Sequence, residues 1–166
     1  MGRTLILACG NPLRGDDALG WEIAAALQSA SLQADLEIES SFQLMPEMAE
    51  AVSRAAIVIF IDACVTQEPG TVRFERILPS TSLPGTFTHE VDPPALLALA
   101  EALYGRSPSR ALLLSVGAES FELNEELSES ARAAIPEAVY AILGYLARQS
   151  SLAGCPSEPM TAQAVS

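Results

Sequence analysis

Four side chains in this sequence have types from which a metal site or an acid–base site could be assembled: the adjacent carboxylates Asp16 and Asp17, the carboxylate Asp62, and His89, the single imidazole of the chain. Two carboxylates and one imidazole make an oxygen and nitrogen ligand set with room left for water or substrate. Such a set suits a divalent transition metal such as Zn, Ni, Mn or Fe, and residue types alone do not choose among them. Each residue also has a structural reading. An Asp just ahead of a helix caps it and a second acid complements the helix dipole, which accounts for one member of the Asp16–Asp17 pair and leaves the other side chain over. Asp62 directly follows the most apolar segment, where a carboxylate is costly unless paired, hydrogen-bonded or metal-bound; the alternative is a solvated strand end or a turn cap. His89 on a polar loop reads most simply as an exposed residue.

Other chemistries have less support. A Ser or Cys nucleophile would want His89 as base, yet there is no G-x-S-x-G elbow, and Cys9 and Cys64 end apolar strands as buried thiols, with a soft-ligand role left open. No GxGxxG or Walker loop supports nucleotide binding.

The elements that must position these residues follow from the hydrophobic pattern. Leu5, Ile6, Leu7 and Ala8 form a buried strand stopped by Gly10, Asn11 and Pro12, and Leu19, Ile23 and Leu27 then mark one face of a helix. The loop between them joins a strand's carboxyl end to a helix's amino end, the edge at which open α/β sheets bind ligands. Leu36, Glu37 and Ile38 begin a half-exposed strand that ends at Ser40 and Ser41. Pro46 opens a second helix with Met48, Val52 and Ala55 inward. Residues 56–61 (AIVIFI) are β-branched and lack alternation, as a central strand covered on both faces would. Val72 to Glu75 alternate as an antiparallel edge strand, although Arg76 leaves the register open. Asp92, Pro93 and Pro94 start a helix with Leu96, Leu99 and Leu103 as its buried stripe and Gly105 as its stop. Residues 111–116 form another buried strand, and Glu119, Ser120 and Phe121 follow it on the carboxyl edge. A last helix over residues 129–148, capped by Ser128, turns Ala131, Ile135, Val139, Ile142 and Leu146 inward, with Pro136 expected to kink or weaken it.

This alternation predicts an α/β fold of three layers: a mostly parallel, twisted, doubly wound sheet of about five strands with helices on both faces and one antiparallel edge. If the strands ending near Cys9 and Asp62 are neighbours, Asp17 and Asp62 share one cleft and the His89 loop can fold over it. The length of 166 residues suits one domain, taken as residues 1–149, with an aperiodic tail at 150–166. No apolar run is long enough to span a bilayer, and no secretory signal is visible, so a cytoplasmic protein without membrane insertion is expected. A formal net charge of -12 argues against nucleic acid and favours a cation or a basic segment as ligand. Cys9, Cys64 and Cys155 show no paired spacing and are expected to be reduced.

GNPLRGDDALG at 10–20, IDA at 61–63 after the apolar strand, and THE at 88–90 ahead of a leucine-rich helix together resemble the [NiFe]-hydrogenase maturation endopeptidases, in order and spacing, from Leu5 to about Arg148. The resemblance implies a peptidase that removes a carboxyl-terminal extension from the hydrogenase large-subunit precursor after nickel insertion. By position it implies that Asp17, Asp62 and His89 bind the nickel, which the precursor supplies; other divalent metals are expected to substitute in vitro. Asp16 matches the acid before the first ligand and reads as a cap or a support for it, and Asn11 belongs to the same loop. Where the family often has an Asp and a Gly-rich turn, this chain has Glu39-Ser40-Ser41 followed by FQLMPE, which leaves Glu39 and Gln43 as weaker candidates for substrate contact. A monomer is the favoured state. The competing class is a metal-sensing or chaperone-like module that binds the nickel-loaded precursor without cutting it.

Overall fold

The computed structural model describes residues 2–30, 34–81, 91–124 and 126–153. His89, Cys155 and the tail from residue 154 onward lie outside these residues. In chain order the elements are β1 (Thr4–Cys9), α1 (Leu19–Ala30), β2 (Leu36–Ser41), α2 (Ala49–Arg54), β3 (Ile57–Cys64), β4 (Val72–Ile77), α3 (Pro93–Tyr104), β5 (Arg110–Gly117) and α4 (Glu129–Ala153). The strands form one sheet in the order β2-β1-β3-β5-β4, parallel except for the β4–β5 edge pair.

The expected architecture is therefore present, with the β-branched run of β3 at its centre. Successive residues of a strand point to opposite faces. Ile59 and Ile61 of β3, with Ile6 of β1 and Leu114 of β5, pack beneath α1 and α4, while Val58 and Phe60, with Leu5 and Leu7, pack beneath α2 and α3. That two-sided burial explains why the strand shows no polar alternation. Each fully buried Leu, Ile or Phe contributes roughly 1.5–3 kcal/mol of transfer free energy, so the central strands anchor everything mounted on their ends. The β4 register, which Arg76 left open, runs unbroken from Val72 opposite Val116 to Ile77 opposite Ala111.

Several details differ from the sequence reading. Leu103 is 62% exposed; α3 instead buries Leu96, Leu97, Leu99 and Ala100, a face rotated from the Leu96–Leu99–Leu103 stripe. On α4 the buried line is Ala131, Ala134, Ala138, Ile142 and Leu146, with Ile135 and Val139 only flanking it. α4 packs on α1, and small residues permit a close approach that the larger aliphatics would prevent. α4 runs continuously through exposed Pro136 and continues to Ala153, so the first residues assigned to the tail are helical. The N-terminal boundaries hold: Asp92 caps α3 by accepting from Ala95 N at 2.8 Å, and Ser128 Oγ accepts from Ala131 N at 3.2 Å.

Candidate active site

At the carboxyl edge, β1 lies beside β3, so the loop after Cys9 faces the last residues of β3, which extend past the β1 pairing. Between them opens a cleft of about 530 Å³ lined by Asp17 and Asp62 with Cys9, Gln43, Phe42 and Val91 among its other walls. The two acids expected to share a cleft do line one.

Asp17 is delivered by a short 3-10 turn, Gly15–Ala18, ahead of α1. The main-chain N–H of Asn11 donates to its Oδ2 at 2.8 Å, fixing one oxygen, while the Asn11 side chain accepts from Leu13 N and shapes the loop. Asn11 thus supports Asp17 through its backbone. Gly10 makes the approach possible: its φ is +142°, and a Cβ there would lie 1.9 Å from the Asp17 carbonyl oxygen. Trp21 on α1 ties down the same turn by donating from Nε1 to Gly10 O at 2.7 Å, and its ring meets Phe42 edge-on at 6.0 Å. Local patterning does not announce this aromatic contact. Its only sequence signal was a lone Trp and a lone Phe in separate segments.

Asp16 departs from the capping expectation. The residue before the 3-10 turn is Arg14, and no side chain caps it. Asp16 is instead 1% exposed and accepts from Ser128 N at 2.7 Å, from Ser128 Oγ at 2.8 Å and from Glu119 N at 2.8 Å. It clasps the β5–α4 loop to the turn that carries Asp17. Three donors around one carboxylate compensate its burial.

Asp62 sits near the end of β3, with its side chain opening to the cleft. The protein around it displaces enough water to push its carboxyl up to about 6; a main-chain hydrogen bond from Ala63 works against the rise, and the charge of Asp17 adds to it. A cation between the two acids would relieve this penalty. Cys9, on the same wall, is raised to about 11, chiefly by burial, against a pull from the Ser41 hydroxyl. It is a thiol at neutral pH and so not a thiolate nucleophile. Cys9 and Cys64 are both free, as expected of reduced cysteines.

Of the remaining candidates, Gln43 lines the cleft and Glu39 does not; Glu39 is exposed on β2. Asp92, read only as a helix cap, lines the cleft as well. Among the described residues no three His, Cys, Asp or Glu side chains form a group that could hold a metal ion. Asp17 and Asp62 could offer a metal two hard oxygen atoms, and His89 lies outside the described residues.

No family model matches the chain. The hydrogenase 2 maturation protease of Escherichia coli (strain K12) is 30% identical over 164 residues, spanning 94% of this chain and 97% of that protein. The chain belongs to the hydrogenase maturation protease family. The solved hydrogenase maturating endopeptidase HybD from E. coli superposes with a TM-score of 0.72 at 28% identity, covering 89% of this chain and 93% of that one. A hydrogenase 2 maturation peptidase from Thaumarchaeota archaeon SCGC_AB-539-E09 gives a TM-score of 0.65 at 25% identity, covering 87% and 97%. This maturation protease is accordingly a hydrolase of peptide bonds, built on the mixed five-stranded sheet described above. Among the described residues of the protease no helix is long and apolar enough to cross a membrane.

Proposed function

We propose that this chain cuts a carboxyl-terminal extension from the large-subunit precursor of a [NiFe] hydrogenase after nickel has been inserted, and that Asp17, Asp62 and His89 bind the nickel borne by the precursor. The observation that carries the reading is the meeting of Asp17 and Asp62 in one cleft at the carboxyl edge of the sheet, in a chain of the maturation protease family. Val91, two residues past His89, lines the same cleft and donates from its N–H to Leu44 O at 3.4 Å, which supports including the imidazole in the set.

In this reading nickel belongs to the substrate. Asp17 is oriented by Asn11 N, and Asp62 is presented by the most deeply anchored strand, so both ligands stand ready before the precursor arrives. An incomplete ligand set suits an ion that brings part of its own coordination from the precursor. Gripping the ion fixes the adjacent peptide bond against the cleft, and orientation of this kind can supply a large part of a rate enhancement. The ion's Lewis acidity would polarise a nearby carbonyl.

The deciding experiment incubates the purified chain with nickel-loaded and nickel-free precursor and follows precursor mass. A mass loss confined to the nickel-loaded form is expected. An intact precursor held tightly by the chain would replace this reading with the non-proteolytic binding module.

A further inference from the structure

Beside Asp62 the sheet carries a second polar position that the nickel reading leaves unused. Ser115 of β5 is paired in register with Asp62 of β3, and in-register neighbours present their side chains on the same face, one strand spacing of about 5 Å apart. Ser115 is only 8% exposed, one of few polar residues so buried. Its hydroxyl is engaged by Gln67 Nε2 at 2.7 Å, from the turn between β3 and β4. The other polar atom of that amide, Gln67 Oε1, is buried and has no hydrogen-bond partner among the described residues.

The turn holding Gln67 is pinned in place. Gly70 N donates to Gly117 O and Gly117 N to Thr71 O, each at 2.9 Å, while Ala118 N donates to Cys64 O at 3.0 Å. Gly117 permits this contact, since a Cβ there would meet Glu68 O at 1.9 Å. Three backbone hydrogen bonds thus hold the turn, and Gln67 reaches Ser115, the register neighbour of Asp62, with its amide half used. Turning the amide over changes which atom meets Ser115 and still leaves the other over. A buried polar atom without a partner typically costs about 1–3 kcal/mol, an expense a fold avoids unless a ligand meets it. Gln67 as a whole is only partly buried, and its terminal torsion is soft, so the amide can rotate to meet an incoming group.

We propose that Gln67, steadied by Ser115 beside Asp62, is a substrate-binding residue whose side-chain amide hydrogen-bonds a main-chain peptide group of the precursor next to the nickel. The proposal rests on the function proposed above. A peptide group is the suitable partner because it carries both a donor and an acceptor, whichever amide atom is presented.

The test is processing of nickel-loaded precursor by the full chain and by Gln67→Met, which keeps length and removes both polar atoms, alongside thermal unfolding of each. Expected are a KM raised about tenfold, as loss of one net hydrogen bond implies, and a kcat changed less than KM, with the unfolding scans confirming that the variant is folded at the assay temperature. A Ser115→Ala substitution should raise KM in the parent and do little in the Gln67→Met background. Unchanged KM in Gln67→Met or full additivity of the two substitutions would each overturn the proposal. A parent chain that leaves nickel-loaded precursor uncut would instead overturn the underlying function, so the two failures are told apart.

Discussion

Asp62 and Asp16 show how two carboxylates of the same type acquire opposite roles from their surroundings. Asp62 lacks the three donors that hold Asp16: although its side chain opens to the cleft and is exposed, the water displaced by the protein around it, and then the charge of Asp17, lift its carboxyl to about 6 from the ordinary 3.8. The folded protein therefore binds that proton more tightly than the unfolded chain, and between roughly pH 4 and pH 6 stability from this group falls as pH rises. Above pH 6 the strain of holding the anion is fully present. Asp62→Asn should accordingly raise Tm at pH 8, and its advantage should vanish below about pH 4, as read from unfolding scans of both proteins across pH. In the same variant processing of nickel-loaded precursor should be abolished; in the parent it should decline as pH drops through about 6, because a metal ligand must be deprotonated. Asp16, by contrast, is compensated by its three donors. Asp16→Ala strands those donors and should destabilise the fold on the order of 3 kcal/mol in denaturant titrations. In the proposed reading, the acid that would hold nickel is the one whose loss is expected to stabilise the fold, and Asp16 the one whose loss is expected to weaken it.

At the scale of elements, the turn that brings Asp17 to the end of β3 depends on a close approach. Gly10→Ala would drive a methyl group into the Asp17 main chain, and processing should fall at least tenfold, checked by the precursor mass assay. The helix pair α1–α4 relies on alanines. Ala138→Leu adds three carbons to a fully buried seam and should destabilise by about 1–3 kcal/mol. Pro136 sits well inside α4 on its exposed side, where it withholds the N–H that would reach the Arg132 carbonyl. Pro136→Ala should stabilise the fold by roughly 1–3 kcal/mol, measured by the same titrations. This is an element whose hydrophobic period was legible while its contact face was not. The pattern weighted Ile135 and Val139 by size, whereas interhelical distance selected Ala134 and Ala138.

For the molecule as a whole, the dominant electrostatic fact is a net charge of -12 with no lysine to soften it. Ion pairs between side chains in the described residues are two, Arg3 with Glu37 and Arg54 with Glu50, so there is little attraction for salt to weaken and much repulsion for it to screen. Tm should rise as sodium chloride increases from 10 to 300 mM, since the Debye length contracts from about 30 Å to below 8 Å. A flat or falling Tm would show that local attractions outweigh the overall repulsion.

Much of this was settled by the order of residue types along the chain. The apolar run of β3, the strand-to-helix loop bearing Asp16 and Asp17, and the Asp92 and Ser128 caps were readable because burial on two faces, turn chemistry and capping are local demands. Local demands leave local patterns. The meeting of Asp17 with Asp62 was only conditional in the sequence, since it required β1 and β3 to be neighbours, and strand order arises from packing between distant segments. The clasp of Asp16 on Ser128 and Glu119, the Trp21–Phe42 wall and the Gln67–Ser115 pair were decided by tertiary structure alone. In each, the partners are far apart or on different elements, and a hydrogen bond between them imposes no spacing on the chain.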